Sequence, residues 1–407
     1  MEKLAKQLTI KYALLQSTYW ISQCAINSFA AVFLQSRNFD NTQIGIVLSL
    51  AAILSIFLQP LIASFADKTS KVTLRQIVIA FMAIIFAMAF VLYIAPGSFW
   101  LIAILYVLIN ACTYTLNPLN NSLALEYMNQ GVPMNYGLAR GTGSVAFAVM
   151  SLFLGQLVNL LGPDILLLMF LLSFCFTITA VVFFKAKLPE STQSVDLNPT
   201  SLNSVTENPG KDKSGPSGIG TFLVKYKTYL LFLVGVAMIF YSHNLINTYL
   251  INIIENVGGN SKDLGISLAI AAAFELPAMA GFILLEKRFK CNHLVIISAF
   301  FFFLKSLLTW LSPNVGMVYV SMAFQLVSFA LFTPASIYYV NSMMDPHDRV
   351  KGQATLAVAT TGIAGSIANI TGGKILDTLG VSDMLMLGTI VTVIGFFIVT
   401  FTTKQTE

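Results

Sequence analysis

Long apolar segments alternate with short polar stretches along the whole of this chain. A helix that crosses a bilayer needs roughly 20 mostly apolar residues, because it must span the hydrocarbon core while its backbone bonds only to itself. Turn-forming stretches such as APGS, GPD and LSPN separate the segments. The pattern predicts twelve membrane-spanning helices, helix 1 to helix 12: Tyr12–Gln35, Thr42–Phe65, Leu74–Ile94, Phe99–Tyr127, Asn135–Leu161, Ile165–Phe184, Thr228–Ile254, Asp263–Leu285, His293–Leu311, Val315–Val340, Gln353–Leu376 and Met384–Thr403.

The composition supports a polytopic membrane protein rather than a soluble one. Of the 407 residues, 56% are hydrophobic and only 10% are charged, whereas soluble domains carry about 25% charged residues. We expect no cleaved signal peptide, because the pattern of such a peptide is missing at the start of the chain. The four cysteines lie singly in apolar segments, so the sequence predicts neither a disulfide framework nor a zinc site.

Lysine and arginine lie almost entirely on one side of the predicted helices. With the N-terminus in the cytoplasm, 18 of the 23 basic residues fall in cytoplasmic segments, as the positive-inside rule requires. We therefore expect both termini to be cytoplasmic. This topology accounts for the formal net charge of +5, so the charge gives no reason to expect a nucleic-acid partner. Two basic residues, Arg140 and Lys305, lie within predicted helices.

A polar segment divides the chain into two sets of six predicted helices. Residues 188–221 are rich in Ser, Pro, Asn and Gly and show no apolar periodicity, which is typical of a flexible linker. We therefore predict an N-terminal bundle over 1–187, a cytoplasmic linker over 188–221 and a C-terminal bundle over 222–407.

The two halves resemble each other at an offset near 218 residues. Pro60 in helix 2 corresponds to Pro277 in helix 8, and Pro118 in helix 4 corresponds to Pro334 in helix 10. Parallel six-helix repeats are typical of transporters that work by alternating access, with the site near the midplane between the repeats. The predicted fold is an all-α polytopic membrane protein with 12 transmembrane helices in two pseudo-symmetric bundles of six.

The stretch ASFADKTSK at the end of helix 2 resembles the motif that major facilitator superfamily members carry between helices 2 and 3. Asp67 and Lys68 fit this motif, whose aspartate latches the cytoplasmic gate in that superfamily, whereas Ala63 and Ser70 stand where glycines are usual. Together with YGLARGTGSVAFA and FELPAM, the chain resembles the lactose permease-like group of oligosaccharide, nucleoside and phenylpropionate proton symporters. The resemblance implies the superfamily's fold and a location in a bacterial plasma (inner) membrane.

An arginine lies within predicted helix 5, in YGLARGTGSVAFA. A charge inside the bilayer is costly, so such a residue is a candidate for function. The resemblance implies that Arg140 and a glutamate on helix 4, for which Glu126 is the candidate, hold the substrate. It also implies that an aromatic residue stacks on the substrate, and Phe147 lies on the face of Arg140. The alternative is a static salt bridge at the cytoplasmic rim.

Amide and phenol side chains recur on one face of several predicted helices. Side chains of this kind suit a substrate with several hydroxyl or carbonyl groups, because polar groups facing lipid are unfavourable. Alternatively, the amides bond neighbouring helices, and a lone histidine among amides is more often structural. The candidates for substrate binding from helices 1, 4 and 7 are Tyr19, Gln23, Asn27, Asn117, His243 and Asn247.

Glu275 lies in helix 8 among alanines, and no residue near it in the sequence neutralises its charge. A carboxyl group that gains and loses a proton is what proton coupling requires. The resemblance implies a carboxylate here that serves substrate and proton coupling, and Lys305 in helix 9 is a candidate counter-ion. The alternative is a permanently protonated glutamic acid that bonds a neighbouring helix.

The chain departs from lactose permease itself at the proton-handling residues of helix 10. Gln325, Ser328 and Leu331 stand where that protein carries a Lys/His/Glu constellation, and Ser242 and Thr361 stand near the places of its helix 7–helix 11 Asp–Lys pair. The departures keep uniport or another coupling ion open.

The leading hypothesis for function is a proton symporter that imports a sugar, glycoside, nucleoside or aromatic acid. An exporter or uniporter on the same fold and a non-transporting sensor are the alternatives. An enzyme is not expected, because the chain shows no metal-ligand cluster, phosphate-binding loop or nucleophile–base pair. We expect no cofactor, the proton gradient as energy source, the lipid bilayer as surroundings and a monomer.

Overall fold

A computed structural model describes residues 2–69, 72–95, 97–186 and 219–404. The described residues are helical almost throughout, and the predicted helices are found in their predicted order. The spans are α1 (Glu2–Gln23, continued by Cys24–Ser28 and Ala30–Ser36), α2 (Asn41–Lys68), α3 (Leu74–Ile94), α4 (Phe99–Asn129), α5 (Tyr136–Leu161), α6 (Ile165–Phe183), α7 (Lys227–Thr248, continued by Leu250–Asn256), α8 (Ser261–Glu286), α9 (Cys291–Trp310), α10 (Val315–Ala323, Phe324–Leu326 and Phe329–Met343), α11 (Arg349–Ala357, Val358–Ala364 and Gly365–Thr378) and α12 (Val381–Lys404).

Ten helices in the described ranges are long and apolar enough to cross a membrane. The other two spans are α1, which a π-helical turn interrupts, and α8, whose 26 residues give a length of about 39 Å at the helical rise. The predicted linker over 188–221 lies almost entirely outside the described residues. Its last residues belong to a short helix, Ile219–Lys225, which precedes α7.

Polar residues at the predicted turns start several of the spans. Asp40 accepts a hydrogen bond from the backbone of Gln43, whose side chain accepts one in return from the Asp40 backbone, so α2 begins with a capping box. Thr73 and Gln76 form the same arrangement at the start of α3. These caps satisfy backbone donors that have no partner within the helix, and they fix where the apolar segments begin.

The α-helical hydrogen-bond pattern is interrupted within α1, α7, α10 and α11. In α1 the π-helical turn Cys24–Ser28 exposes the carbonyl oxygen of Ile26, which accepts a hydrogen bond of 2.6 Å from the hydroxyl of Tyr106 on α4. A π-helical turn inside an α-helix is frequently found at a functional site. In α10 the break places Gln325 in a 3₁₀ turn.

The two halves pack against each other through α2 with α11 and α5 with α8. Glycines allow the backbones to approach closely. A Cβ atom at Gly45 of α2 would lie 2.1 Å from the carbonyl oxygen of Asn369 on α11, and one at Gly265 of α8 would lie 2.3 Å from the carbonyl oxygen of Ser151 on α5. Larger residues at these glycines are therefore incompatible with the observed packing.

Hydrogen bonds between the halves cluster at the far end, where α1 ends and α2 begins. The carboxylate of Asp377 on α11 accepts from the side-chain amide of Asn41 at 2.8 Å and from the backbone and hydroxyl of Thr42 at 2.7 and 2.6 Å. Gln35 of α1 also donates to Asn252, in the tail of α7, at 3.1 Å. The halves are thus joined at the far end.

At the opposite, terminal end, where Glu2 and Lys404 lie, contacts join elements of the same half. Lys11 donates to the carbonyl oxygen of Lys185 at 2.8 Å within the first half. In the second half, Lys225 forms an ion pair with Asp345, in the connection between α10 and α11. The hydrogen bond that the Lys225 ammonium donates to the Asp345 carboxylate raises the pKa of Lys225.

Candidate functional site

Arg140 lies on the interior face of α5. The opposite face of this helix carries a row of strongly exposed apolar side chains, which is the pattern of a lipid-facing surface: Leu138, Val145, Val149 and Leu152. Arg140, Ser144 and Phe147 lie on the side away from this row, as the helical period of 3.6 residues requires. Arg140 is nevertheless exposed, on the face of α5 opposite the apolar row.

Arg140 acts electrostatically on the hydroxyl groups of Tyr12 and Tyr19 on α1. Among the residues that the structure describes, no ion pair joins it to Glu126. Glu126 is exposed near the terminal end of α4, where Arg75 at the start of α3 is its charged neighbour. The expected direct pair is therefore not formed in this conformation, and the guanidinium is not committed to a carboxylate.

An aromatic surface lies beside Arg140, one to two turns along α5. The ring of Phe147 is half-buried and meets the ring of Trp20 on α1 edge-to-face, with 6.3 Å between centroids. Trp20 packs where α5 carries Gly143, because a Cβ atom there would lie 2.3 Å from the indole Cδ1. The sequence pointed to Phe147 alone, since Trp20 reads as one more apolar residue of helix 1.

The phenol and amide groups of α1 bind the backbone of α4. Tyr19 donates to the carbonyl oxygen of Thr113 at 3.1 Å, and Gln23 donates to the same oxygen at 3.3 Å. Asn27 in turn donates to the side-chain oxygen of Gln23. Tyr19 and Gln23 are buried, so their described contacts are those of residues that bond neighbouring helices.

Several amide oxygens in the first half have no hydrogen-bond partner among the described residues. The nitrogens of Gln16, Asn27 and Asn110 donate to neighbouring groups, whereas their side-chain oxygens are buried and unpaired, as is the oxygen of Asn117. A buried acceptor is normally satisfied by protein, water or ligand. The side chain of Asn120 has no described partner for its nitrogen or its oxygen, so this half of the interior holds several unpaired acceptors and one unpaired donor group for water or a ligand.

In the second half, the side chain of Gln325 on α10 links Lys305 to Glu275. The ammonium of Lys305 donates to Gln325 Oε1 at 2.7 Å, and Gln325 Nε2 donates to Glu275 Oε1 at 2.9 Å. Lys305 and Gln325 are 1% and 5% exposed. The expected counter-ion thus reaches the glutamate through an amide rather than in a direct ion pair. Sequence reasoning identified Gln325 only as a departure from lactose permease.

His243 is buried in an aromatic box of the second half. Its ring stacks on Phe329 with 5.1 Å between centroids and meets Phe302 edge-to-face at 5.4 Å. Its Nε2 atom is 3.0 Å from the side-chain nitrogen of Asn247, which is exposed, and its Nδ1 atom has no partner in the described part of the chain. Asn247 faces solvent, whereas the histidine ring has the packing of a structural residue.

Arg140 and Glu275 flank a contact between the two halves. A Cβ atom at Gly141 on α5 would lie 3.9 Å from Leu276 Cδ2 on α8, and Arg140 and Glu275 precede these two residues in sequence. A cationic group of one half and a carboxyl group of the other half therefore lie at the same crossing of α5 and α8.

The motif residues at the end of α2 lie at the terminal end. Lys68 is the last residue of α2 and is exposed, while the side chain of Asp67 lies outside the described residues. Their assignment to gating stays a prediction. Within the described ranges, no group of three or more His, Cys, Asp and Glu side chains is arranged to hold a metal ion.

Residues 12–387 match the MFS_1 like family. The chain belongs to this family. It is a membrane transporter of the major facilitator type and not an enzyme, which confirms the predicted fold and the resemblance given by the motifs.

Two transporters resemble the chain over most of its length. It is 24% identical to maltose permease of Geobacillus stearothermophilus over 386 residues, covering 94% of this chain and 91% of that protein. It is also 24% identical to the uncharacterized transporter YwbF of Bacillus subtilis (strain 168), covering 89% of this chain and 85% of the relative.

Solved structures share the fold of the chain. The crystal structure of the nucleoside transporter NupG has a TM-score of 0.76 at 15% identity and covers 98% of each chain. The structure of a bacterial homolog to the human lysosomal transporter Spinster, in an inward-facing and unoccupied conformation, has a TM-score of 0.68 at 13% identity and covers 98% of this chain and 97% of that one. These likenesses concern the fold alone.

Proposed function

We propose that this transporter is a proton symporter that imports a small polar solute rich in hydroxyl groups, such as a sugar, glycoside or nucleoside. The observation that carries the proposal is the set of unpaired amide oxygens in the first half, on Gln16, Asn27, Asn110 and Asn117. Hydroxyl groups and nucleobase N–H groups donate to such acceptors. An aromatic acid, the other solute class considered, presents a carboxylate without donors and suits these oxygens less well.

The remaining parts of the site fit the same solute. The guanidinium of Arg140 has five N–H donors and no carboxylate partner, so it is available to the acceptor oxygens of a sugar or nucleoside. The rings of Trp20 and Phe147 offer an apolar surface to a pyranose face or a base. The relatives support this class, since one is a maltose permease and a structural neighbour is a nucleoside transporter.

Glu275 is the group that we assign to proton coupling. It lies at the α5–α8 crossing and reaches Lys305 through Gln325, so its charge is balanced without being locked in a direct pair. We place both termini in the cytoplasm of a bacterial cell, which makes the far end the external end. Because the halves are joined there, we infer that this conformation is closed to the outside. A proton taken up outside would be released inside, and the gradient would drive import by a chain that acts as a monomer.

Solute binding is tested with Trp20 as the only tryptophan, after Trp100→Phe and Trp310→Phe. Maltose, other oligosaccharides, nucleosides and phenylpropionate are titrated while the indole emission is recorded. We expect a saturable change with a sugar or a nucleoside, and Arg140→Gln should abolish it because the donors are lost. The matched control is Arg288→Gln, an exposed arginine after α8. Binding that persists in Arg140→Gln would show that the arginine is structural.

Coupling is tested in proteoliposomes with and without an inward proton gradient, using the solute that binds. Glu275→Gln should abolish accumulation driven by the gradient and leave solute exchange intact, because the neutral amide cannot carry a proton. The matched control is Glu286→Gln, three turns along the same helix. Accumulation that is unchanged in Glu275→Gln would refute the assignment, and exchange without gradient-driven accumulation in the wild type would indicate a uniporter.

A further inference from the structure

We infer that Gln325 is a positioning residue for coupling: it holds the charge of Lys305 at the distance of one amide from Glu275 and so sets how tightly Glu275 binds its proton. The inference rests on the proposed role of Glu275. It assigns a function to a residue of helix 10 that stands where lactose permease carries its charged constellation.

The break in α10 brings the amide to this place. Helix Val315–Ala323 gives way to the 3₁₀ turn Phe324–Leu326 before the helix resumes at Phe329. The tighter turn directs Gln325 between α8 and α9, where only 5% of the residue is exposed. A 3₁₀ stretch within a helix often marks a functional position.

The orientation of the amide follows from the chemistry of its two partners. The lysine ammonium only donates, so it must bind the amide oxygen, and the amide nitrogen then faces the glutamate. The distances of 2.7 Å to Lys305 and 2.9 Å to Glu275 are those of good hydrogen bonds. Gln325 therefore always presents a donor to Glu275 while Lys305 is charged, and a donor favours the ionised carboxylate.

The amide also keeps the two charges from meeting. A direct, buried ion pair would hold the carboxylate ionised, and breaking it would leave an uncompensated charge. With the amide between them, Glu275 binds Gln325 through one oxygen, Oε1. The other oxygen is the one that we assign to the proton.

Three charged or titratable groups lie on the elements packed around Glu275. Lys305 acts on Glu275 electrostatically from α9, and His243 on α7 lies within electrostatic range of Lys305. Arg140 lies on α5, next in sequence to Gly141 at the crossing with α8. The facing part of α10 contributes the uncharged Gln325. A substitution there that adds a charge or removes the donor is therefore expected to change the proton affinity of Glu275 directly.

The test is the initial rate of proton-driven uptake as a function of pH, at a constant proton gradient, in Gln325→Glu. This nearly isosteric change removes the donor to Glu275 and adds a carboxylate that pairs with Lys305. The midpoint of the pH profile should move to higher pH by about one to two units, the equivalent of one lost hydrogen bond to a charged group. Solute binding, read from Trp20 emission, should be retained, which also shows that the variant is folded.

The matched control is Ser328→Ala, one turn along α10. Within the described ranges the Ser328 hydroxyl donates only to the carbonyl oxygen of Phe324, so the midpoint of this variant should equal that of the wild type. A purely structural role predicts a lower rate at every pH with the midpoint unmoved, and that result would overturn the inference. If Gln325→Glu does not fold, Gln325→Met provides the second measurement. It removes the donor to Glu275 without adding a charge and leaves Lys305 in place, so its midpoint must also rise, and an unmoved midpoint in this variant overturns the inference as well.

The outcome also separates this inference from the proposed function. A wild-type profile without any pH dependence, or a midpoint that persists in Glu275→Gln, refutes proton coupling at Glu275 and the role of Gln325 with it. If Glu275→Gln abolishes the midpoint of the wild-type pH profile but Gln325→Glu leaves that midpoint unchanged, the role of Gln325 alone is refuted.

Discussion

Asp377→Asn is expected to destabilise the conformation in which the far end is closed. The Asp377 carboxylate of α11 binds the first residues of α2 in the other half, with oxygen–donor distances of 3.2 Å to the backbone nitrogen of Asn41 and 2.7 Å to that of Thr42. It therefore caps a helix N-terminus, where backbone donors lack partners and the helix dipole favours a negative charge. This cap belongs to the opposite half, so it exists only while the far end is closed.

The size of the destabilisation in Asp377→Asn depends on which interactions of the aspartate the asparagine retains. Its side-chain oxygen still accepts hydrogen bonds, and asparagine is about as good a cap as aspartate, so the loss is chiefly that of the charge. A charge at a helix N-terminus contributes about 0.3–1 kcal/mol when exposed, and Asp377 is exposed. A loss of about 1 kcal/mol shifts the ratio of closed to open far ends roughly fivefold. Asp377→Ala, which removes the acceptor too, should shift it further.

The populations can be measured as distances between spin labels at Ser98 and Pro313, exposed positions at the far end of the first and second half. The matched control is Asp164→Asn, since Asp164 is a far-end carboxylate that pairs with Arg37 of its own half at 2.7 Å. Asp164→Asn should leave the distance distribution unchanged. A distribution that is the same in Asp377→Asn, Asp377→Ala and the wild type would refute the reasoning, because the contact would then not contribute to closure.

Three further predictions concern two packed glycines and one ion pair. Gly265→Ala should open the far end in the same spin-label measurement, because its Cβ atom would collide with the backbone of α5, whereas Gly281→Ala in open space on the same helix should not. Gly143→Ala should displace Trp20, because the added Cβ atom would collide with the indole ring. The emission of Trp20 should then change, and the change on adding solute should become weaker. Lys225→Met removes the ion pair with Asp345 and should therefore speed chymotrypsin cleavage beside the short helix before α7. In the wild type the pKa of Lys225 is raised, so the ion pair persists through neutral pH and weakens only above about pH 10.4.

The helices were predictable because hydrophobicity and length decide them. A segment of 20 apolar residues has one stable arrangement in lipid, so its type and order follow from the sequence. The prolines matched between the halves all lie within helices: Pro60, Pro118, Pro277 and Pro334. The start of α1 was placed ten residues late, at Tyr12 instead of Glu2, because its first turns are polar and hydropathy marks only the apolar part of a helix.

The sequence predicts only those features of the site that lie on one helix. Helical periodicity placed Arg140 and Phe147 on one interior face, and the structure shows that face opposite the exposed apolar row of α5. The link between Lys305 and Glu275 joins three helices, and no periodicity relates residues 20 and 50 positions from Gln325. Trp20 was missed for the same reason, since its place depends on a glycine more than a hundred residues away.

The positions of Arg140 and Glu275 explain how a solute would act on the conformation of the whole protein. Each residue belongs to a different half, and each directly precedes in sequence one of the two residues, Gly141 and Leu276, at which α5 and α8 approach each other. A solute that binds both groups gains affinity only when the halves hold them at the correct separation, so it shifts the equilibrium by its differential affinity for the two states. The charge of Asp377 at the far end opposes that shift with about 1 kcal/mol, little enough for the binding of one solute to reverse.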